Sequence, residues 1–139
     1  MEIITQSPGE TQKLGQKIGS DLKSGKFKKR ILCLYGDLGS GKTTFIQGLA
    51  KGLGVKKRIT SPTFVFVKKY YPNFYHVDLY RIEKLEETKG LGLEEIFSTP
   101  QTIVAVEWAE KIKEMLPEGR IDIQFKYLNN KKRRVIINY

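Results

Sequence analysis

Residues 36–43 read Gly-Asp-Leu-Gly-Ser-Gly-Lys-Thr, which fits the pattern G-x-x-x-x-G-K-[ST] at every fixed position. That spacing suits phosphate. Gly36, Gly39 and Gly41 let successive backbone N–H groups converge on an anion, with Ser40 among them. A helix opening at the end of the loop would direct its partial positive charge to the same point. Lys42 is then placed to reach the β and γ phosphates of a nucleoside triphosphate, and Thr43 to offer its hydroxyl to Mg²⁺. The competing interpretation, a glycine-rich turn that binds nothing, is disfavoured by the sequence on either side of the loop.

A loop of this kind needs a carboxylate at the end of a neighbouring buried strand, to hold the metal shell and help place an attacking water. Glu107 answers that description, because Ile103-Val104-Ala105-Val106 precedes it. Asp78, near the end of Tyr75-His76-Val77-Asp78, is a second candidate, so two acids compete for one role. Between them and the loop lies Thr60-Ser61-Pro62-Thr63-Phe64, where Pro62 sets a sharp path. Thr63 could cover a γ-phosphate there, unless the segment is only a turn that starts a strand. His76 is the one histidine and has no second imidazole to share a metal with, so it reads as a hydrogen-bonding structural residue. Trp108, the one tryptophan, follows Glu107 and belongs at the rim of the site.

The elements that must position these residues are legible around them. Ile31 to Tyr35 is a short continuous apolar run, as in a strand buried on both faces of a parallel sheet. After the loop, Phe45, Ile46, Leu49, Ala50 and Leu53 recur at helical spacing, and Gly54 supplies a stop. Upstream, residues 1–6 alternate as a strand, and Ser7-Pro8-Gly9-Glu10 reads as a capping box with Pro at the first helical position. A helix carrying Leu14, Ile18 and Leu22 on one face follows. Downstream, the pattern predicts a hairpin turning at Pro72-Asn73, short helical pieces at 83–89 and 93–97, the strand ending at Glu107, and a helix over 109–116 stopped by Pro117. A second hairpin pairs 121–127 with 134–139. The fold class expected is α/β: a mostly parallel central sheet with antiparallel edge hairpins, in a single domain over residues 1–139.

Composition bounds the class of function. There is no run of ~20 apolar residues of the kind that spans a membrane, and residues 1–10 lack the apolar segment of a signal peptide, which points to the cytoplasm. Cys33 is the only cysteine and lies in the apolar strand, so neither a disulfide framework nor a thiolate metal site is available. Lys plus Arg number 25 against 15 Asp plus Glu, a net charge of +10 that draws polyanions or acidic partners. The cations are mostly Lys, and no arginine–aromatic interleaving suggests base stacking.

Four motifs occur in order: Gly-Asp-Leu-Gly-Ser-Gly-Lys-Thr-Thr at 36–44, Ser-Pro-Thr-Phe at 61–64, His-Val-Asp-Leu-Tyr-Arg at 76–81 and Val-Glu-Trp-Ala-Glu at 106–110. Together they resemble the TsaE (formerly YjeE) family of small bacterial P-loop ATPases, needed to make N6-threonylcarbamoyladenosine at position 37 of tRNA. Glu-Thr-Gln-Lys-Leu-Gly at 10–15 is also similar to that family's first helix, so the resemblance covers nearly the whole chain. It implies a three-layer P-loop NTPase-type fold and a nucleotide site for ATP or ADP in which residues 39–44 hold the phosphates. Thr43 and Glu107 would ligate Mg²⁺, Asp78 would be a catalytic or switch acid, and Thr63 would cover the γ-phosphate. Trp108 would lie at a partner-sensitive rim and Thr11 would approach the adenine. The resemblance further implies slow ATP hydrolysis that resets a complex with TsaD and TsaB, any tRNA contact being weak or indirect. Ser40 departs from the family's usual Ala, and the tail after Asn129 offers no recognisable base contact.

A small-molecule kinase would use the same loop but would want an arginine-bearing lid, and the middle of the chain holds only Arg81 and no lid-length insertion. A GTPase would want Asn-Lys-x-Asp, and Asn130-Lys131-Lys132-Arg133 lacks the acid. A nucleotide-regulated RNA-binding module would account for the charge but leave the loop unexplained.

Overall fold

The computed structural model describes residues 1–60 and 66–139. In chain order the elements are β1 (Glu2–Thr5), α1 (Pro8–Lys23), β2 (Ile31–Tyr35), α2 (Lys42–Gly52), β3 (Val67–Tyr70), β4 (Phe74–Asp78), α3 (Leu93–Ser98), β5 (Ile103–Glu107), β6 (Arg120–Tyr127) and β7 (Arg133–Asn138). Short 3-10 stretches at Leu85–Thr88 and Ala109–Met115 flank α3 and β5.

The seven strands form one sheet in the order β1-β7-β6-β2-β5-β4-β3. β6, β2, β5 and β4 run parallel, and β7 and β3 close the β6–β7 and β3–β4 hairpins antiparallel to them. β1 pairs antiparallel with β7 and so takes the direction of the central strands. Alternation of side chains divides the sheet's two faces. Leu32, Leu34, Phe74, Ala105, Ile121 and Ile123 pack with α1 and α2 on one face. Ile31, Cys33, Val77, Val104 and Val106 pack with Leu79, Ile82, α3 and the Ala109–Met115 stretch on the other. The central strands β2 and β5 are covered on both sides, which is why they read as unbroken hydrophobic runs.

α1 begins as its sequence suggests. Ser7 Oγ accepts from Glu10 N at 3.2 Å, Pro8 takes the first helical turn, and Glu10 Oε1 accepts from Gln6 N at 2.9 Å. α1 and α2 approach through paired glycines: a Cβ on Gly52 would stand 2.7 Å from Ser20 N, and one on Gly48 would overlap the Gln12 carbonyl. The expected helix at 109–116 is instead a pair of 3-10 turns broken at Ile112 (φ −125°, ψ 33°). Its buried residues, Ala109 and Ile112, are three apart, the repeat of a 3-10 turn rather than a helical stripe.

Candidate functional site

The loop between β2 and α2 is shaped for backbone approach. Gly36, Gly39 and Gly41 have φ of +148°, +76° and +103°, a region L side chains rarely adopt. At Gly36 a side chain is also excluded by space, since a Cβ would lie 2.6 Å from Ser40 Oγ and 2.7 Å from the Phe125 carbonyl oxygen. Gly41 is the N-cap of α2 and offers no side chain to the first N–H groups of the helix, which leaves them for an anion.

Two parallel strands bring the acids to this point. Leu34, Glu107 and Asp78 are register partners across β2, β5 and β4, so both carboxylates emerge at the carboxyl edge of the sheet, on the face covered by α2. Glu107 is only 3% exposed. Its Oε1 accepts from Thr43 Oγ1 at 3.4 Å, and its Oε2 lies 2.6 Å from His76 Nε2. Asp78 Oδ1 accepts from Tyr80 N at 3.0 Å. Burial, with the Glu107 charge adding to it, pushes the Asp78 carboxyl above the usual carboxylate range. The two candidate acids thus occupy one edge together, with Glu107 against the α2 threonine.

Lys42 is turned back onto its own loop. Its ammonium donates to the carbonyls of Gly36 and Asp37 and lies 4.2 Å from the centroid of the Trp108 ring. Burial holds its pKa below the ordinary lysine value, against the opposing pull of Glu107, Glu110, Asp78 and Asp37. Trp108 adopts a left-handed conformation (φ 58°, ψ 41°) at the turn out of β5. Its ring is 5.4 Å from Tyr80, and Lys111 lies over both rings.

These groups line a cavity of about 360 Å³, within the range of small-ligand sites. Residues 39–44, Asp78, Glu107 and Trp108 all face it. Gly36 sits beneath, where its carbonyl receives Lys42. Thr11 is 1% exposed and lies behind the loop, with its hydroxyl 2.7 Å from that of Thr5 and its methyl near Gly41. Thr63 lies outside the described residues. A larger hollow of about 610 Å³ opens beside the Leu85–Thr88 stretch. Its lining includes Gly92, which opens α3 without a side-chain cap, but Glu86, Glu94 and Glu95 line it too and disfavour an anion, so volume is outweighed by chemistry.

Arg133 is a charged lining residue that sequence reasoning passed over. Its guanidinium donates to the Gly39 carbonyl at 2.9 Å and stacks 4.6 Å from the centroid of Tyr127. In sequence it belongs to a run of four cations, Lys131 to Arg134, which reads as solvated surface. Arg81, Tyr80, Phe66 and Leu38 also reach the cavity.

No group of three or more His, Cys, Asp or Glu that could hold a metal occurs among the described residues. The available donors, the Thr43 hydroxyl and the Glu107 carboxylate, are hard oxygens. Such a pair fits a Mg²⁺ ion that takes its other oxygens from water and phosphate, rather than one enclosed by protein. No helix among the described residues is long and apolar enough to cross a membrane.

Comparison with known proteins identifies the same chain-wide pattern. The family model described as "Threonylcarbamoyl adenosine biosynthesis protein TsaE" matches residues 5–135. A Bacillus subtilis protein named "tRNA threonylcarbamoyladenosine biosynthesis protein TsaE" is 40% identical over 134 residues, covering 94% of this chain and 80% of its own. A Treponema pallidum protein of the same name is 33% identical with 99% of both chains covered. The structure is similar to "Crystal structure of Bacillus subtilus YdiB", with a TM-score of 0.74 at 36% identity over 97% of this chain and 82% of that one.

Proposed function

This chain belongs to the TsaE family, and we propose that it is the ATP-binding, ATP-hydrolysing component of the cytoplasmic machinery that makes N6-threonylcarbamoyladenosine in tRNA, acting with TsaD and TsaB. One observation carries this reading: an uncapped helix start, Lys42, Thr43 and Glu107 converge in a single cavity. The parallel, adjacent β2 and β5 with the glycine loop at their carboxyl edge support a three-layer fold of the P-loop NTPase type.

In this reading the N–H groups of residues 39–44 cradle the phosphates, and Lys42 leaves the Gly36 and Asp37 carbonyls for β and γ oxygens. Thr43 and Glu107 hold Mg²⁺, which when bound neutralises charge building on the phosphate oxygens. Asp78, beside Glu107, orients the attacking water. The acids of β5 and β4 mark the γ-phosphate side of the loop. The ribose and adenine then extend toward β6 and β7, where Thr11 and Arg133 flank Gly41. Trp108, at the rim, is positioned to feel a bound partner.

P-loop hydrolysis without an arginine finger runs at ~10⁻⁴ s⁻¹ in Ras, and a partner raises such rates by roughly 10³ to 10⁵. Steady-state phosphate release therefore tests the reading: slow turnover alone, clear stimulation by the TsaB and TsaD pair, and ATP preferred over GTP. Fast turnover by the isolated chain, or no response to the pair across a salt series, would favour a self-sufficient enzyme such as a kinase.

A further inference from the structure

Glu107 is held from behind by a side chain that the nucleotide reading does not use. His76 and Ala105 are register partners on β4 and β5, two residues before the Asp78 and Glu107 pair. Side chains two apart on a strand share a face, so the imidazole and both carboxylates project toward α2. The small Ala105 leaves room beside the ring. His76 is 0% exposed, its Nε2 is 2.6 Å from Glu107 Oε2, and its Nδ1 meets no protein partner among the described residues. A carboxylate oxygen only accepts, so the contact requires a proton on Nε2; a second N–H on Nδ1 would be a buried donor without a protein acceptor.

We propose that His76 is a positioning residue for the cation-binding carboxylate: it anchors Glu107 Oε2 so that Oε1 faces the Thr43 hydroxyl and the nucleotide's metal. The inference rests on the reading of Glu107 as a Mg²⁺ ligand. The terminal torsion of a glutamate is broad, and one bond from a buried ring is what narrows it here. Partners that orient metal ligands in this way typically cost 10- to 100-fold in metal affinity when removed.

The test compares wild type with His76→Leu, which removes the donor, and His76→Gln, whose amide can restore it. Mn²⁺ affinity in the presence of ADP is read by electron paramagnetic resonance, and ADP affinity is read separately without metal. His76→Leu should bind Mn²⁺ roughly 10- to 100-fold more weakly with metal-free ADP binding within about twofold, and His76→Gln should recover most of the loss. A residue that merely supports the fold would lower the melting temperature and leave this split unchanged. Should the Leu variant not fold, wild type decides, because His76 is the only histidine and its ¹⁵N signals are unambiguous. They should report the Nε2–H tautomer, with a slowly exchanging proton that persists when Mg²⁺ and ADP are added. Equal Mn²⁺ affinity in a folded Leu variant, or an Nδ1–H tautomer, would overturn the proposal. Wild type that fails to bind Mn²⁺ with ADP at all would instead overturn the Glu107 reading on which it stands.

Discussion

The Lys42 ammonium lies 4.2 Å from the centroid of the Trp108 ring while donating to the carbonyls of Gly36 and Asp37. The residue best placed to bind phosphate is thus paired with the only indole in the chain. Phosphate must draw Lys42 away from those carbonyls and from the ring, so adding ATP or ADP should change Trp108 fluorescence. Lys42→Ala should weaken nucleotide binding by ~10- to 100-fold, the 1.5–3 kcal/mol of a charged hydrogen bond, with native-like melting retained. ATP bound as tightly by Lys42→Ala as by wild type would contradict the assignment of the loop.

Glu107 and Asp78 are register neighbours in different contact with α2, and their substitutions should separate. Glu107→Gln should reduce the Mg²⁺-dependent part of ATP affinity. Asp78→Ala should slow hydrolysis and leave ATP binding within about threefold. Calorimetric titration with and without Mg²⁺, alongside phosphate release, distinguishes the two roles, and identical profiles for both variants would undo the division.

Two helix glycines, Gly48 at the α1–α2 contact and Gly9 away from it, predict opposite signs for one kind of substitution. Gly48→Ala gains up to ~1 kcal/mol of helix propensity, but its methyl would overlap the Gln12 carbonyl and lie 2.7 Å from the carbonyl carbon. Overpacking against backbone should win, destabilising the protein by roughly 1–3 kcal/mol net. At Gly9, in the first turn of α1, the nearest atom to a new Cβ is Ser7 Oγ at 3.7 Å. Gly9→Ala should be neutral or stabilising by up to ~1 kcal/mol. Urea unfolding midpoints for the two variants check this, and a destabilisation of equal size at both would refute the packing argument.

Burial pushes the Cys33 thiol up from 9.0 to about 12, with the Asp122 charge adding to it. Below pH 9 the thiol is protonated in both folded and unfolded chains and its contribution to stability is complete. Between pH 9 and about 12 the unfolded chain releases a proton that the folded chain keeps, so stability should fall, by ~1.4 kcal/mol per pH unit for this group. In Cys33→Val the decline over that window should be shallower by about this amount. Parallel declines in urea unfolding free energy between pH 9.5 and 11.5 would show that the thiol does not contribute.

The glycine loop, the strand before it, the helix after it and the acid at the end of the Ile103–Glu107 run were all legible in sequence. Each is a property of consecutive residues: glycine spacing sets which backbone conformations are open, and an unbroken apolar run marks a strand buried on both faces. Both hairpins were legible for the same reason, through local alternation and turn residues. Contacts between distant segments were not. Arg133 meets Gly39 across 94 positions, and His76 meets Glu107 across 31, only because β7 and β4 take particular places in the strand order. Gly15, Gly19, Gly48 and Gly52 look like ordinary helix residues until two helices are brought together on the line they define. Local pattern determines which face of an element must be covered; what covers it depends on shape and charge complementarity between segments far apart in the chain, and that is decided when the sheet assembles.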